Sequence, residues 1–109
     1  MLPIAIRPTV STASREVQAW VDTGFTGELM LPISLIHAFG LIRTGSEVAG
    51  LGDGKKVILE RFKCWIDWFG QTRKIFVLAN QGQFSLLGVG LMASHQLAVD
   101  YEKNLVELK

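Results

Sequence analysis

With a single cysteine, Cys64, this chain of 109 residues cannot form an internal disulfide or a cysteine-rich zinc site. Such usage leans toward a reducing compartment, so the cytoplasm is the expected location. Histidine is nearly as scarce. His37 and His95 are the two present, and neither has a metal-like partner at helical or hairpin spacing, so no metal and no cofactor is expected. Charge of one sign is lacking too: 11 basic residues against 10 acidic give a net charge of +1. They lie scattered, without the runs that make a footprint for nucleic acid, which is not an expected partner. Long apolar runs are missing. Residues 85–93 reach only about half the ~20 residues that a membrane span needs, and residues 1–7 lack the basic-then-apolar order of a signal peptide, so no membrane partner is expected. There is no Gly-x-Ser-x-Gly of the serine hydrolases. Gly50-Leu51-Gly52-Asp53-Gly54 has the wrong spacing for a nucleotide loop, and a strand pattern follows it.

What is present is a composition of 49% hydrophobic and 19% charged residues, that of a globular protein with a substantial core. The length suits one domain over residues 1–109. Period-two alternation and short apolar runs, punctuated by turn residues, predict an all-β fold. Strands are expected at residues 2–7 and 16–21, the second with Val17, Ala19 and Val21 on one face, forming a hairpin that leads into Asp22. A short strand at 28–31 precedes Pro32, which suits a first helical turn, and a brief helix over 33–39 ends at Gly40. Residues 41–49 and 55–62 read as a hairpin with a glycine-rich tip. A further strand pair follows at 63–69 and 73–79, then a loop at 80–83, a short helix over 89–95, and a last hairpin of 97–101 with 104–108. Cys64 falls in an alternating segment, where a buried structural thiol is the ordinary reading.

The candidate for chemistry is Asp22-Thr23-Gly24. Hydrolysis of a peptide bond by activated water needs one group to take a proton from water and another to protonate the carbonyl oxygen or leaving amine. Two carboxyls sharing one proton supply both. About 3 Å apart at an effective dielectric of ~20, they repel by roughly 5 kcal/mol, enough to separate their titrations by up to about four pH units. Asp22-Thr23-Gly24 combines a carboxylate, a hydroxyl and a residue without a Cβ, the parts of a tight turn around such a group. Any given tripeptide arises by chance in a chain of this length at roughly a few per cent. The plain alternative is an Asx turn at a strand end.

The surrounding segment, from Ala19-Trp20-Val21 through Asp22-Thr23-Gly24-Phe25-Thr26-Gly27 to Glu28-Leu29-Met30-Leu31-Pro32, resembles the active-site segment of retropepsin-like aspartic proteases, especially the small bacterial and archaeal members. Leu86-Leu87-Gly88, ahead of Val89-Gly90-Leu91-Met92-Ala93, is similar to that family's second signature. The hairpin around residues 50–54 stands where the family has its flap. The resemblance thus covers nearly the whole chain and implies a closed acid-protease barrel with a flap hairpin and one or two short helices. It implies Asp22 as general acid/base, Thr23 as the hydroxyl locking the two active-site loops together, and Gly24 as backbone near substrate. Phe25 would line a specificity pocket, and Leu87 would lie at the substrate site. Ala49, Gly50, Leu51 and Gly52 of the flap would offer backbone groups to an extended peptide.

The chain carries one Asp-Thr-Gly, so a complete dyad implies a two-fold homodimer with the site on its axis. Retroviral members usually have an acidic residue two positions after the motif's glycine, paired with an arginine after the second signature's glycine. Thr26 and Val89 hold those places, so that ion pair is absent. Phe25, where a small residue is usual, either narrows the pocket or marks a different substrate. The expected activity is that of an aspartic endopeptidase on peptides or proteins. Its rival is a catalytically inactive barrel of the same kind that binds peptides or mediates dimerisation.

Overall fold

The computed structural model describes residues 1–50 and 53–109. β1 (Leu2–Arg7) and β2 (Arg15–Val21) form the expected antiparallel hairpin, with Ile4 opposite Val17. Val17 and Ala19 turn inward while Glu16, Gln18 and Trp20 stay outside, as strict alternation requires. β3 (Leu29–Pro32) is buried at every position. It pairs in parallel with β6 (Gln71–Asn80) and antiparallel with the two-residue β7 (Leu86–Leu87), an arrangement that explains its continuous apolar run. Helix α1 (Ile33–Phe39) follows, capped by Gly40 at φ 70°, where the Gly40 N–H donates to His37 O at 3.1 Å and the Leu41 N–H to Ile36 O at 3.2 Å. Pro32 closes β3 and stands just before the helix.

β4 (Ile42–Gly50) and β5 (Lys56–Trp68) make the long hairpin, and Leu51 and Gly52, at its glycine-rich tip, lie outside the described residues. β5 corrects the expectation of two strands over 55–69. It runs unbroken for 13 residues, first under the tip and then along β6, with Cys64 opposite Ile75. The reason is a change of buried face. Val57 and Leu59 are the half-buried positions near the tip, whereas Phe62, Cys64 and Ile66 are the buried ones further on, so the inward set passes from odd to even numbers within one strand. A bulge in β4 between Arg43 and Gly45, with Gly45 at φ 144°, lies opposite that change.

The strands close in the order β1-β2-β7-β3-β6-β5, and β1 pairs again with β5 through Ile6 and Ile66, giving a six-stranded ring from which β4 extends. At that seam Arg7 grips Asp67 with two hydrogen bonds of 3.0 Å, which hold the Asp67 carboxyl below its usual range and raise the Arg7 guanidinium. Ile4, Ile6, Leu31, Ile36, Val77 and Leu91 are among the residues filling the interior. α2 (Val89–Met92) is shorter than the expected 89–95, because the chain becomes extended at Ala93 and left-handed at Ser94, φ 67°. β8 (Leu97–Asp100) and β9 (Leu105–Leu108) form the predicted last hairpin as a separate two-stranded sheet. No helix among the described residues is long and apolar enough to cross a membrane.

Candidate active site

β2 ends at Val21, and the chain then reverses over residues 22–28 before entering β3. The turn is set by Asp22 itself: its Oδ1 accepts from the Gly24 N–H at 2.9 Å, and its carbonyl accepts from the Phe25 N–H at 3.2 Å. This is the Asx turn of the plain reading. Its setting goes further than that reading. The Asp22 N–H donates to Leu87 O at 2.9 Å, extending the parallel pairing of Trp20 with Leu86, so the half-buried Asp22 stands at the upper end of a barrel strand. Thr23 and Gly24 are exposed beside it.

The segment after β7 holds this loop from below. The Gly88 N–H donates to Glu28 O at 2.9 Å, Val89 N–H to Phe25 O at 3.0 Å and Gly90 N–H to Gly27 O at 3.0 Å. Such close approach excludes side chains. A Cβ at Gly88 would lie 2.2 Å from Gly27 O and 2.8 Å from Phe25 O, so glycine is required here for space. The two segments singled out in the sequence, Asp22-Thr23-Gly24 and Leu86-Leu87-Gly88, are therefore in direct backbone contact.

Several expected binding positions are buried within the chain. Phe25, expected to line a specificity pocket, is 1% exposed; its ring covers Gly27 and Gly88 and packs with Met30, Ala49 and Leu78 beneath the β4–β5 hairpin. The bulk that set it apart in the sequence fills space left by two glycines. Leu87 is fully buried between β2 and β3, so its side chain has no surface to offer a ligand; the Ala49 side chain is buried too, while the groups expected of Ala49 are those of its backbone. Gly50 is half-buried, and Leu51 and Gly52 fall outside the described residues.

Apolar surface lies elsewhere. A cleft of about 630 Å³ is lined by Trp20, Met30, Leu86 and Phe84, with Val57 and Leu59 of β5 across from them and the 80–82 loop at one side. Trp20 lies in β2 two residues before Asp22, and half of its surface is exposed. Sequence reasoning missed these six residues. The available signal was a large apolar side chain, Trp20, at an outward position of β2, two residues from the motif. The Asn80 Nδ2 donates to Phe84 O at 3.1 Å and ties the loop that carries Phe84.

The rival chemistries lose their groups. Cys64 is fully buried, and burial first, then the negative charge of Glu28, pushes its thiol up to about 12, so it stays protonated at neutral pH and is no nucleophile. His95 stacks on Phe69 at 4.2 Å, and His37 is exposed on α1. Among the described residues no group of three or more His, Cys, Asp and Glu side chains is placed to hold a metal ion.

No family model matches the chain, and no curated protein matches it. Among solved structures it is similar to the crystal structure of the retroviral protease-like domain of Ddi1 from Leishmania major, at 16% identity and a TM-score of 0.48, covering 100% of this chain and 88% of that one. What Asp22 does here is therefore read from its own surroundings.

Proposed function

We propose that the protein is an aspartic endopeptidase of the retropepsin-like type, a single domain over residues 1–109 that is active as a homodimer in the cytoplasm. The observation that carries this reading is the Asp22 turn: a carboxylate just past the end of a barrel strand, anchored by backbone bonds between its loop and residues 87–90, with Trp20, two residues earlier, lining an apolar cleft. Two Asp22 carboxylates, one from each chain, would share a proton across the two-fold axis. The ionised one takes a proton from the attacking water as the water oxygen bonds to the peptide carbon. The protonated one gives its proton to the carbonyl oxygen; as the tetrahedral diol collapses, the first carboxyl passes the water's proton to the departing nitrogen and the second takes one from a diol hydroxyl, so the amine leaves neutral and the pair again holds one proton. Gly24 lets substrate approach closely, and Thr23, exposed on this surface, is free to bond across the axis. An extended peptide would run beneath β4 and β5, with apolar side chains in the cleft by Trp20 and Phe84.

The test is digestion of a peptide library across pH by wild type and Asp22→Asn, alongside a sizing measurement. Cleavage by the wild type that disappears in Asp22→Asn is expected, together with a dimer. Cleavage that persists unchanged in the variant sinks the assignment of Asp22. Peptide binding without cleavage by the wild type makes the protein a binding module instead.

A further inference from the structure

The loop from Asp22 to Glu28 is held to the Leu87–Gly90 segment by main-chain bonds, but its tie to the other flanking strand is a side chain. Glu28 is the last residue before β3, and its carboxylate reaches β6. Oε1 accepts from the Phe76 N–H at 3.0 Å, and Oε2 receives Arg73 Nη2 at 3.3 Å. The geometry has a simple origin. Parallel pairing of β3 with β6 starts at Leu29 opposite Val77, so the Phe76 N–H stands one position before the ladder. Glu28 extends the ladder with its side chain and gives the Phe76 N–H a partner within the protein.

The same residue acts on the other side through its backbone. Glu28 O accepts the Gly88 N–H at 2.9 Å, and its Cγ lies 3.2 Å from where a Cβ on Gly90 would be. Its side chain is 23% exposed, and the buried Cys64 thiol feels its charge. Glu28 therefore joins β6, the start of α2 and the closing end of the Asp22 loop in one residue. Thr26 and Val89, where retroviral relatives carry an interface ion pair, hold no charge, whereas Glu28 and Arg73 form a pair within one chain.

We infer that Glu28 is a positioning residue for Asp22, setting through its bond to the Phe76 N–H the height at which the loop presents the carboxylate to its counterpart across the axis. The inference rests on the endopeptidase reading for its effect on turnover, and on the structure alone for its effect on the loop. Misplacing a reacting group by about 1 Å costs up to ~100-fold in rate, so kcat is the sensitive quantity. A residue that merely stabilised the fold would leave kcat per folded dimer untouched.

The experiment compares wild type, Glu28→Ala and Glu28→Gln by steady-state cleavage of one library-selected peptide, normalised to folded dimer, and by amide hydrogen exchange. The glutamine keeps an acceptor for the Phe76 N–H and loses the charge. Glu28→Ala is expected to lower kcat about ten- to a hundredfold with KM within about threefold, and Glu28→Gln to restore it to within about threefold of wild type. Exchange at the Val89, Gly88 and Gly90 amides should quicken at least about tenfold in Glu28→Ala, while the β1–β2 amides keep their protection. Should the alanine variant not fold, Glu28→Asp, which keeps the charge and shortens the reach, carries the same expected pattern. Unchanged kcat per folded dimer, a glutamine variant as impaired as the alanine one, or unchanged exchange at the three amides overturns the inference. If the wild type cleaves nothing, the endopeptidase reading falls, and the exchange measurement still decides whether Glu28 positions the loop.

Discussion

Replacing Gly88 with alanine is the sharpest perturbation of this site that leaves every functional group in place. The added methyl would sit 2.2 Å from Gly27 O and 2.8 Å from Phe25 O, against backbone atoms that cannot rotate away as a flexible side chain could. Ordinary carbon–oxygen contact needs roughly 1 Å more, so either the 22–28 loop or the 87–90 segment must move by about that distance. Four backbone hydrogen bonds join them, at 2.9 to 3.0 Å, and each contributes about 0.5–1.5 kcal/mol. Losing or stretching most of them, with the overpacking itself, amounts to about 2–4 kcal/mol. For a chain of this size that lowers the melting temperature by roughly 8–20 °C. The assay is urea unfolding together with peptide cleavage below the variant's melting point. Gly90→Ala is the graded comparison: its methyl meets Gly27 O at 2.9 Å and the flexible Glu28 Cγ at 3.2 Å, and about 1 kcal/mol is expected. A Gly88→Ala protein as stable and as active as wild type refutes the reasoning, because the close approach of the two segments would then not exist.

Three further outcomes follow from the same geometry. Asp67 has its carboxyl held below the usual range by Arg7, so its contribution to stability is present above the unfolded value of about 3.9 and is lost as pH falls through the lower folded value; the wild-type urea midpoint should drop on acidification below about pH 4 more than that of Asp67→Asn, and parallel curves would contradict this. The Cys64 thiol, raised to about 12, contributes stability below its unfolded value of about 8.5, and this is lost as pH rises toward the folded value; iodoacetamide at pH 8 should label Cys64 only at the rate of unfolding, and rapid labelling of native protein would show the site to be open. Phe25→Ala should destabilise by about 3–5 kcal/mol, as removal of a buried aromatic does, whereas Trp20→Ala should weaken peptide binding at a stability change within about 0.5–1 kcal/mol; calorimetric melting and peptide titration separate the two, and the reverse pattern would return Phe25 to the binding surface.

Much of the barrel was legible because its rules are local. Alternation in residues 16–21 named the inward face of β2, Gly40 named the end of α1, and the short strand patterns at 97–101 and 104–108 named the last hairpin. The unbroken β5 was hidden for a physical reason. A strand that covers a cleft with its odd residues and a barrel interior with its even ones shows a phase break that looks like a turn, although no turn residue stands at Arg61-Phe62. The site divides in the same way. Asp22 and Gly88 stand out by type, but Phe25 and Leu87 read as ligand contacts only because they adjoin the motif. Their burial is decided by what packs from distant strands, Leu78 and Met30 against Phe25 and both β2 and β3 against Leu87. Trp20, Met30, Val57 and Phe84 come from four separate parts of the chain, and closure of the ring is what gathers them at one cleft.

Within one chain the Asp22 loop uses its hydrogen bonds for support. The backbone of residues 22, 25, 27 and 28 is committed to residues 87–90, and one carboxylate oxygen of Asp22 is committed to Gly24. A general base and a general acid cannot both come from that single carboxyl in one step. The endopeptidase reading therefore makes activity second order in protein wherever the chains are mostly separate. Halving the concentration below the dimer's dissociation constant should cut the rate about fourfold, since dimer concentration varies as the square of monomer. A rate strictly proportional to protein through the range in which sizing shows the dimer dissociating would mean that one chain suffices. The second proton-transfer group would then have to be sought among the side chains around Asp22 in the same molecule.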